Sequence, residues 1–309
     1  MPRVARMVQT DPGEEAVYHI ISRTALDGLP FQSVEKDEMV RTIKFFSDVF
    51  AVDVYGYAVM GNHFHLLVGV HPASSLSDDE VKRRYFILYG KGETFPEGRL
   101  EHYRERFTCL SSYVKEIKQR FSCFYNRRHK RRGTLWGERF KSVMVEKGTT
   151  LANCLAYADL NAVRAGIVKR PEDYRWCSVA YHAQTGNREA FLSTDFGLAQ
   201  FGVGEKERFR AYRAFLYHAG GMDKKGRGKL SGRVLLDAAL NDYEMGSLQI
   251  FRFRCRYFTD SGAIGSKAFV DKVFSRFKER FGWTRVRKPK HVKGEYGFYS
   301  LKRLSDTAG

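Results

Sequence analysis

Hydrophobic and polar positions fall into blocks whose periods name the elements. Residues 15–22 (Glu-Ala-Val-Tyr-His-Ile-Ile-Ser) read as a first strand, followed by a turn through Leu26, Asp27, Gly28, Leu29 and Pro30. Over residues 34–50, Met39, Ile43, Phe46 and Phe50 recur at helical spacing and predict an amphipathic helix. Residues 54–70 form an apolar, β-rich run that reads as one long strand, bent at Met60-Gly61. Residues 71–100 are broken by Pro72, Gly90, Gly92, Pro96 and Gly98, and predict an excursion with one helix at 78–88. A helix follows at 110–128, with Val114, Ile117, Phe121, Phe124 and Tyr125 on its apolar side. Residues 140–145 predict a strand. Residues 150–163 predict a helix, with Thr149 or Thr150 as its N-cap and Gly166 at its end.

Strand, helix, strand, excursion, helix, strand, helix is an order with few βα repeats. It argues an α+β fold: an antiparallel sheet with helices packed on one face. After Arg170-Pro171 the character changes. Residues 174–182 read as a docking segment, and 205–218 and 266–281 as helices. Residues 219–233 read as a flexible loop rich in Gly, Lys and Arg, and 285–293 as a very basic tail. The expected organisation is a first domain over residues 1–185, carrying the excursion at about 71–100. A basic, mainly helical C-terminal extension follows over 186–309, expected to contact DNA. No glycine-rich nucleotide motif follows a strand, and no Gly-x-Ser-x-Gly elbow occurs.

Charge narrows the partners. The 309 residues carry a formal net charge of +18, which favours a polyanion, nucleic acid before a membrane surface. No apolar run reaches the roughly 18 residues of a membrane-spanning helix, and no apolar segment follows the basic start as in a signal peptide. The five cysteines are scattered without metal-finger spacing, which predicts reduced thiols and a cytoplasmic protein; with nucleic acid as the favoured partner, the expected location is the nucleoid. The cations Lys115, Lys118, Arg120, Arg127, Arg128, Lys130, Arg131, Arg132, Arg139 and Lys141 face only Glu116 and Glu138. Phe121, Phe124, Tyr125, Trp136 and Phe140 interleave with them. That pattern suits a groove that tracks a phosphate backbone while rings stack on bases; the alternative is a solvated helix face. Arg164 is a further DNA-contact candidate.

Against this background the run Gly61-Asn62-His63-Phe64-His65 carries chemistry. On a strand His63 and His65 point to one face and Phe64 to the other, so two imidazoles can share a cation. The plain alternative is one buried, hydrogen-bonded histidine and one exposed. If residues 157–161 are helical, Tyr157 and Asn161 lie one turn apart on one face. Tyr157 is then either a core tyrosine or a nucleophile, and Asn161 either a C-terminal cap or a neutral oxygen ligand. Asp159 is offset by two residues and points away from Tyr157.

At these residues the chain resembles the REP-associated tyrosine transposases, within the HUH single-tyrosine transposases of bacterial insertion sequences. Three blocks carry the resemblance: Asn62 to Val68; Asn126-Arg127-Arg128-His129 running into Gly133 to Ser142; and Tyr157 with Asn161 to Gly166. It covers about residues 12–185. Phe258-Thr259-Asp260 with Gly265 to Val270 resembles the C-terminal extension of some members. The resemblance implies a ferredoxin-like (RRM-like) fold. It implies Mg²⁺ or Mn²⁺ held by His63, His65 and Asn161, and Tyr157 as the nucleophile that cleaves single-stranded DNA at hairpin-forming palindromic repeats. The product would be a 5′-phosphotyrosine and a free 3′-OH. Gly61 stands where a proline is usual, and Asn161-Ala162 replaces the usual Asn-Pro. The expected protein is a monomer or homodimer acting on single-stranded or hairpin DNA, with no membrane partner. The alternative is a catalytically retired regulator that only binds structured DNA or RNA.

Overall fold

The computed structural model describes residues 13–195, 204–221, 257–280, 288–292 and 297–302. Seven strands, β1 (Ala16–Arg23), β2 (Val52–Val59), β3 (His63–Val70), β4 (Lys141–Val145), β5 (Ser261–Gly265), β6 (Lys290–His291) and β7 (Tyr299–Lys302), form one sheet in the order β2-β3-β1-β4-β5-β7-β6. All neighbours are antiparallel except β4 and β5. The helices are α1 (Ser33–Val49), α2 (Asp78–Tyr89), α3 (Leu100–Phe107), α4 (Leu110–Arg128), α5 (Thr149–Asp159), α6 (Asn161–Arg164), α7 (Ser178–Thr185), α8 (Glu205–Gly221), α9 (Tyr257–Asp260) and α10 (Lys267–Arg280). The class is α+β, as the pattern predicts.

Two features differ from the expectation. The apolar run at 54–70 is a hairpin and not a long bent strand. β2 and β3 pair antiparallel around Met60-Gly61-Asn62, and the Met60 N–H donates to the His63 carbonyl at 2.8 Å. A tight turn inside an apolar run leaves the β period intact on both sides, so the pattern alone cannot distinguish the two. The helices also cover both faces of the sheet rather than one. Tyr18, Ile20, Phe64, Leu66 and Val68 pack with Met39 and Ile43 of α1 and with Val114, Ile117 and Phe121 of α4. The alternate positions Val17, Leu67, Val143 and Val145 pack with Leu151 and Leu155 of α5, and Leu216 of α8 joins them. The near-continuous apolar character of β3 is what a strand buried on both faces requires.

α1 begins where the Gln32 N–H donates to the Glu35 carboxylate at 3.0 Å, a reciprocal arrangement that satisfies one orphan donor of the first turn. α4 has the predicted bounds and buries Val114, Ile117, Phe121 and Tyr125 of the predicted stripe, with Phe124 only partly buried. α3 falls at the end of the excursion, where the breakers of the preceding segment obscure it. The predicted helix at 150–163 is interrupted. It starts after Gly148, whose φ of 85° suits glycine, and stops at Leu160 before the short α6. The C-terminal extension is not simply helical, since β5, β7 and β6 continue the sheet beyond β4. The predicted basic loop at 219–233 lies outside the described residues beyond 221; of the predicted tail at 285–293 the described part, 288–292, contains β6.

Candidate active site

β3 starts at the turn of the hairpin, so its first residues present side chains at a strand end while the rest of the strand is core. His63 and His65 share the α5 face, with ring centroids 5.1 Å apart. Phe64 points the other way and packs against Trp136 at 5.7 Å. On α5 every residue from Thr150 to Asp159 is buried except Tyr157, because the helix is wedged between the sheet and α8. Tyr157 faces the histidines: its ring lies 5.8 Å from that of His65 and edge-on to it. The three side chains open into one cavity of about 680 Å³.

The break at Leu160 positions Asn161. Its amide nitrogen donates back to the carbonyls of Tyr157 and Ala158, at 3.1 and 3.2 Å. Asn161 therefore satisfies carbonyls at the end of α5, as a cap would, and it also lines the cavity, with Oδ1 as the acceptor of its side chain. Arg164 donates to the Tyr157 carbonyl at 3.1 Å and lays its guanidinium over the Tyr157 ring at 5.3 Å. Asp159 lies fully buried and out of the cavity. It accepts from Ser178 Oγ at 2.6 Å, Tyr212 Oη at 2.7 Å and Val179 N at 3.1 Å.

Electrostatics suit the imidazoles to ligation. Burial, helped by Arg23, lowers His63 to about 4, and burial lowers His65 well below the ordinary histidine value. Both are neutral near pH 7, the form that binds metal. The Nδ1 of His63 lies 2.8 Å from Asn62 Oδ1, and Asn62 is held by its own amide donating to the Gly28 carbonyl at 3.0 Å. His63 Nδ1 is thus the protonated nitrogen, and Nε2 is left with its lone pair. Two neutral imidazoles and a carboxamide that line one cavity are donor types that fit a divalent cation.

The predicted cations divide. Arg139 and Lys141 line the cavity, and Lys118 reaches its rim by donating to the Glu138 carbonyl at 3.1 Å. Lys115, Arg120, Arg127, Arg128, Lys130, Arg131 and Arg132 belong to α4 and the turn after it, and α4 packs on the opposite face of the sheet. Arg128 is paired with the buried Glu35 at 2.9 Å, and the Arg120 guanidinium covers Phe45 at 4.2 Å. Trp136 is half-buried among Phe31, Phe64 and Phe121, and its indole N–H donates to the Lys118 carbonyl at 3.0 Å. Its ring braces the sheet end behind the cavity.

Four contributors had no site role in the sequence reading. Arg23 ends β1 directly opposite His63 and lines the cavity. Thr259 and Asp260 close the far side, and Asp260 accepts from Lys141 Nζ at 3.0 Å. His19 lies behind His65, with 2.9 Å between His19 Nε2 and His65 Nδ1. The available signal for His19 was its place in β1 on the same alternation as Val17 and Ile21, which is unremarkable until β1 is known to pair with β3. At the other end of β3, Glu15, Asp53 and His71 bring three potential ligand atoms within 4.8 Å of one another. Tyr55, Lys147 and His71 already engage those carboxylates, at 2.7, 2.6 and 3.1 Å.

Among the described residues no helix is long and apolar enough to cross a membrane. No family model and no curated protein matches the chain. Among solved structures it is similar to a chain described as "Structure of the REP associates tyrosine transposase bound to a REP hairpin". Sequence identity is 13% and the TM-score 0.42, over 60% of this chain and 87% of that one. The likeness is one of α+β chain course alone.

Proposed function

We propose that the protein is a metal-dependent single-strand DNA transesterase acting at hairpin-forming repeats, with Tyr157 as nucleophile and His63, His65 and Asn161 as the cation ligands. The observation that carries this reading is the convergence of Tyr157, His63, His65 and Asn161 on one cavity. A bound Mg²⁺ or Mn²⁺ would supply Lewis-acid stabilisation of charge on the scissile phosphate. The chain's own groups do the rest. Tyr157 Oη attacks phosphorus as its proton leaves to solvent. The bond to the 3′-oxygen breaks, that oxygen takes up a proton, and a phosphotyrosine keeps the energy of the broken ester for resealing. Arg164 holds the Tyr157 ring and backbone so that the attack geometry is prepared in advance. Arg23, Arg139 and Lys141 place cations where the flanking phosphates would lie.

The test is a hairpin oligonucleotide carrying a cleavable single-stranded flank, incubated with Mn²⁺. The parent chain is expected to form a covalent adduct. Tyr157→Phe is expected to bind the hairpin with unchanged affinity and to form none. An adduct of normal yield in Tyr157→Phe would refute the nucleophile. Tight hairpin binding without any adduct in the parent would instead describe a chain that only binds.

A further inference from the structure

His19 is fully buried in the middle of β1. It lies one diagonal step from His65, since Ile21 is the residue directly opposite His65. The two rings stack with centroids 5.1 Å apart and planes inclined by 14°. His19 Nδ1 is 2.7 Å from the Phe258 carbonyl oxygen, and its Nε2 is 2.9 Å from His65 Nδ1.

These contacts admit one proton arrangement. A carbonyl oxygen only accepts, so His19 carries a proton on Nδ1. A fully buried neutral imidazole has a single N–H, so His19 Nε2 presents its lone pair to His65. The proton between the rings therefore sits on His65 Nδ1, and His65 Nε2, on the side away from His19, is unprotonated. We propose that His19, anchored by the Phe258 carbonyl, is a positioning residue that locks His65 in its Nδ1–H form and so presents the Nε2 lone pair of His65 to a divalent cation in the cavity. The inference rests on the metal-dependent reading for its purpose, though not for its geometry. It gives His65 the same tautomer that Asn62 gives His63, so both imidazoles offer Nε2. It also gives the C-terminal segment a role: Phe258, in α9, supplies the end of the relay and packs on Tyr157 with ring centroids 5.7 Å apart.

The decisive measurement is a long-range proton–nitrogen NMR spectrum of the metal-free, full-length chain labelled with ¹⁵N at histidine. His65 is expected to show a protonated Nδ1 and an unprotonated Nε2. His19→Phe fills the space but offers no hydrogen bond. It is expected to leave His65 as a mixture of tautomers and to weaken Mn²⁺ binding, read by electron paramagnetic resonance titration, by about tenfold or more. His19→Gln can donate to Phe258 and accept from His65, and is expected to restore Mn²⁺ affinity to near that of the parent. A parent spectrum with the proton on His65 Nε2 overturns the proposal. So does an unchanged His65 tautomer and Mn²⁺ affinity in His19→Phe, or a folded His19→Gln as weak as a folded His19→Phe. If His19→Phe does not fold, the parent spectrum and retention of parental affinity in His19→Gln decide. A parent chain with the expected tautomer that binds no Mn²⁺ supports the relay and counts against the metal-dependent reading.

Discussion

Tyr157 and Asp159 are two residues apart and have opposite environments. Tyr157 is the opening in an otherwise buried helix, while Asp159 is sealed between α5, α7 and α8. Burial pushes the Asp159 carboxyl up to about 6, against the hydrogen bonds from Ser178, Tyr212 and Val179 that pull it down. In the unfolded chain the group titrates at about 3.8. Between these values the folded state holds the extra proton, so this residue's contribution to stability falls as pH rises through the window and stays low above it. The difference between the two values corresponds to about 3 kcal/mol. Asp159→Asn keeps a carbonyl oxygen for Ser178 and Val179 and removes the titration. Compared with the parent, its melting temperature is expected to gain most near pH 7 and least near pH 4. Parallel pH profiles for the two proteins would show that Asp159 is not the linked group.

At the scale of elements, the placement of Tyr157 depends on how closely α5 approaches β2. Gly56 makes that approach possible: a Cβ built there runs into Leu155 Cδ1 and comes within 2.7 Å of Ser178 Oγ. Tyr55 bulges out of the β2–β3 register beside it, which lets the strand bend under the helix. Gly56→Ala is expected to cost about 1–3 kcal/mol through overpacking, seen in thermal melts. It should also slow adduct formation, because lifting Leu155 moves Tyr157 two residues on, although no cavity residue is changed. Adding Leu155→Val should recover part of both losses. Gly56→Ala with parental stability and adduct rate would mean that the helix is positioned by other contacts. The hairpin of β2 and β3 has a related effect. Its turn places His63 at a strand end, where one continuous strand would have left it mid-sheet.

At the scale of the whole molecule, the chain carries a net charge of +18, and among the described residues the candidate DNA-contact cations fall in two regions. Arg23, Arg139 and Lys141 rim the cavity, whereas the cations of α4 and its following turn belong to the opposite face. Hairpin affinity is expected to fall steeply with salt, since each phosphate contact releases a counterion. Replacing Arg23 and Arg139 together by Ala should reduce the log–log salt slope by roughly 2. An unchanged slope in filter-binding or anisotropy titrations would place the backbone contacts outside the cavity. The sheet order adds a second point at this scale. Because β5 pairs parallel to β4, α9 is carried to the cavity, and the chain beyond residue 256 helps to build the cavity's far wall.

Local periodicity and local chemistry were legible in the chain itself. The bounds of α4, the apolar stripe of α1 and the common face of His63 and His65 follow from periods of 3.6 and 2, which depend only on neighbours in sequence. Tyr157 and Asn161 could be paired for the same reason, although the break at Leu160 that turns the Asn161 amide onto α5 could not be read. Tertiary structure alone decided that an apolar run folds back as a hairpin, that helices cover both faces, that His19 backs His65, and that Arg23 and Asp260 reach the cavity. Those outcomes depend on strand pairing and burial between residues up to 239 positions apart, as between His19 and Phe258. A contact of that range leaves no period in the sequence on either side of it.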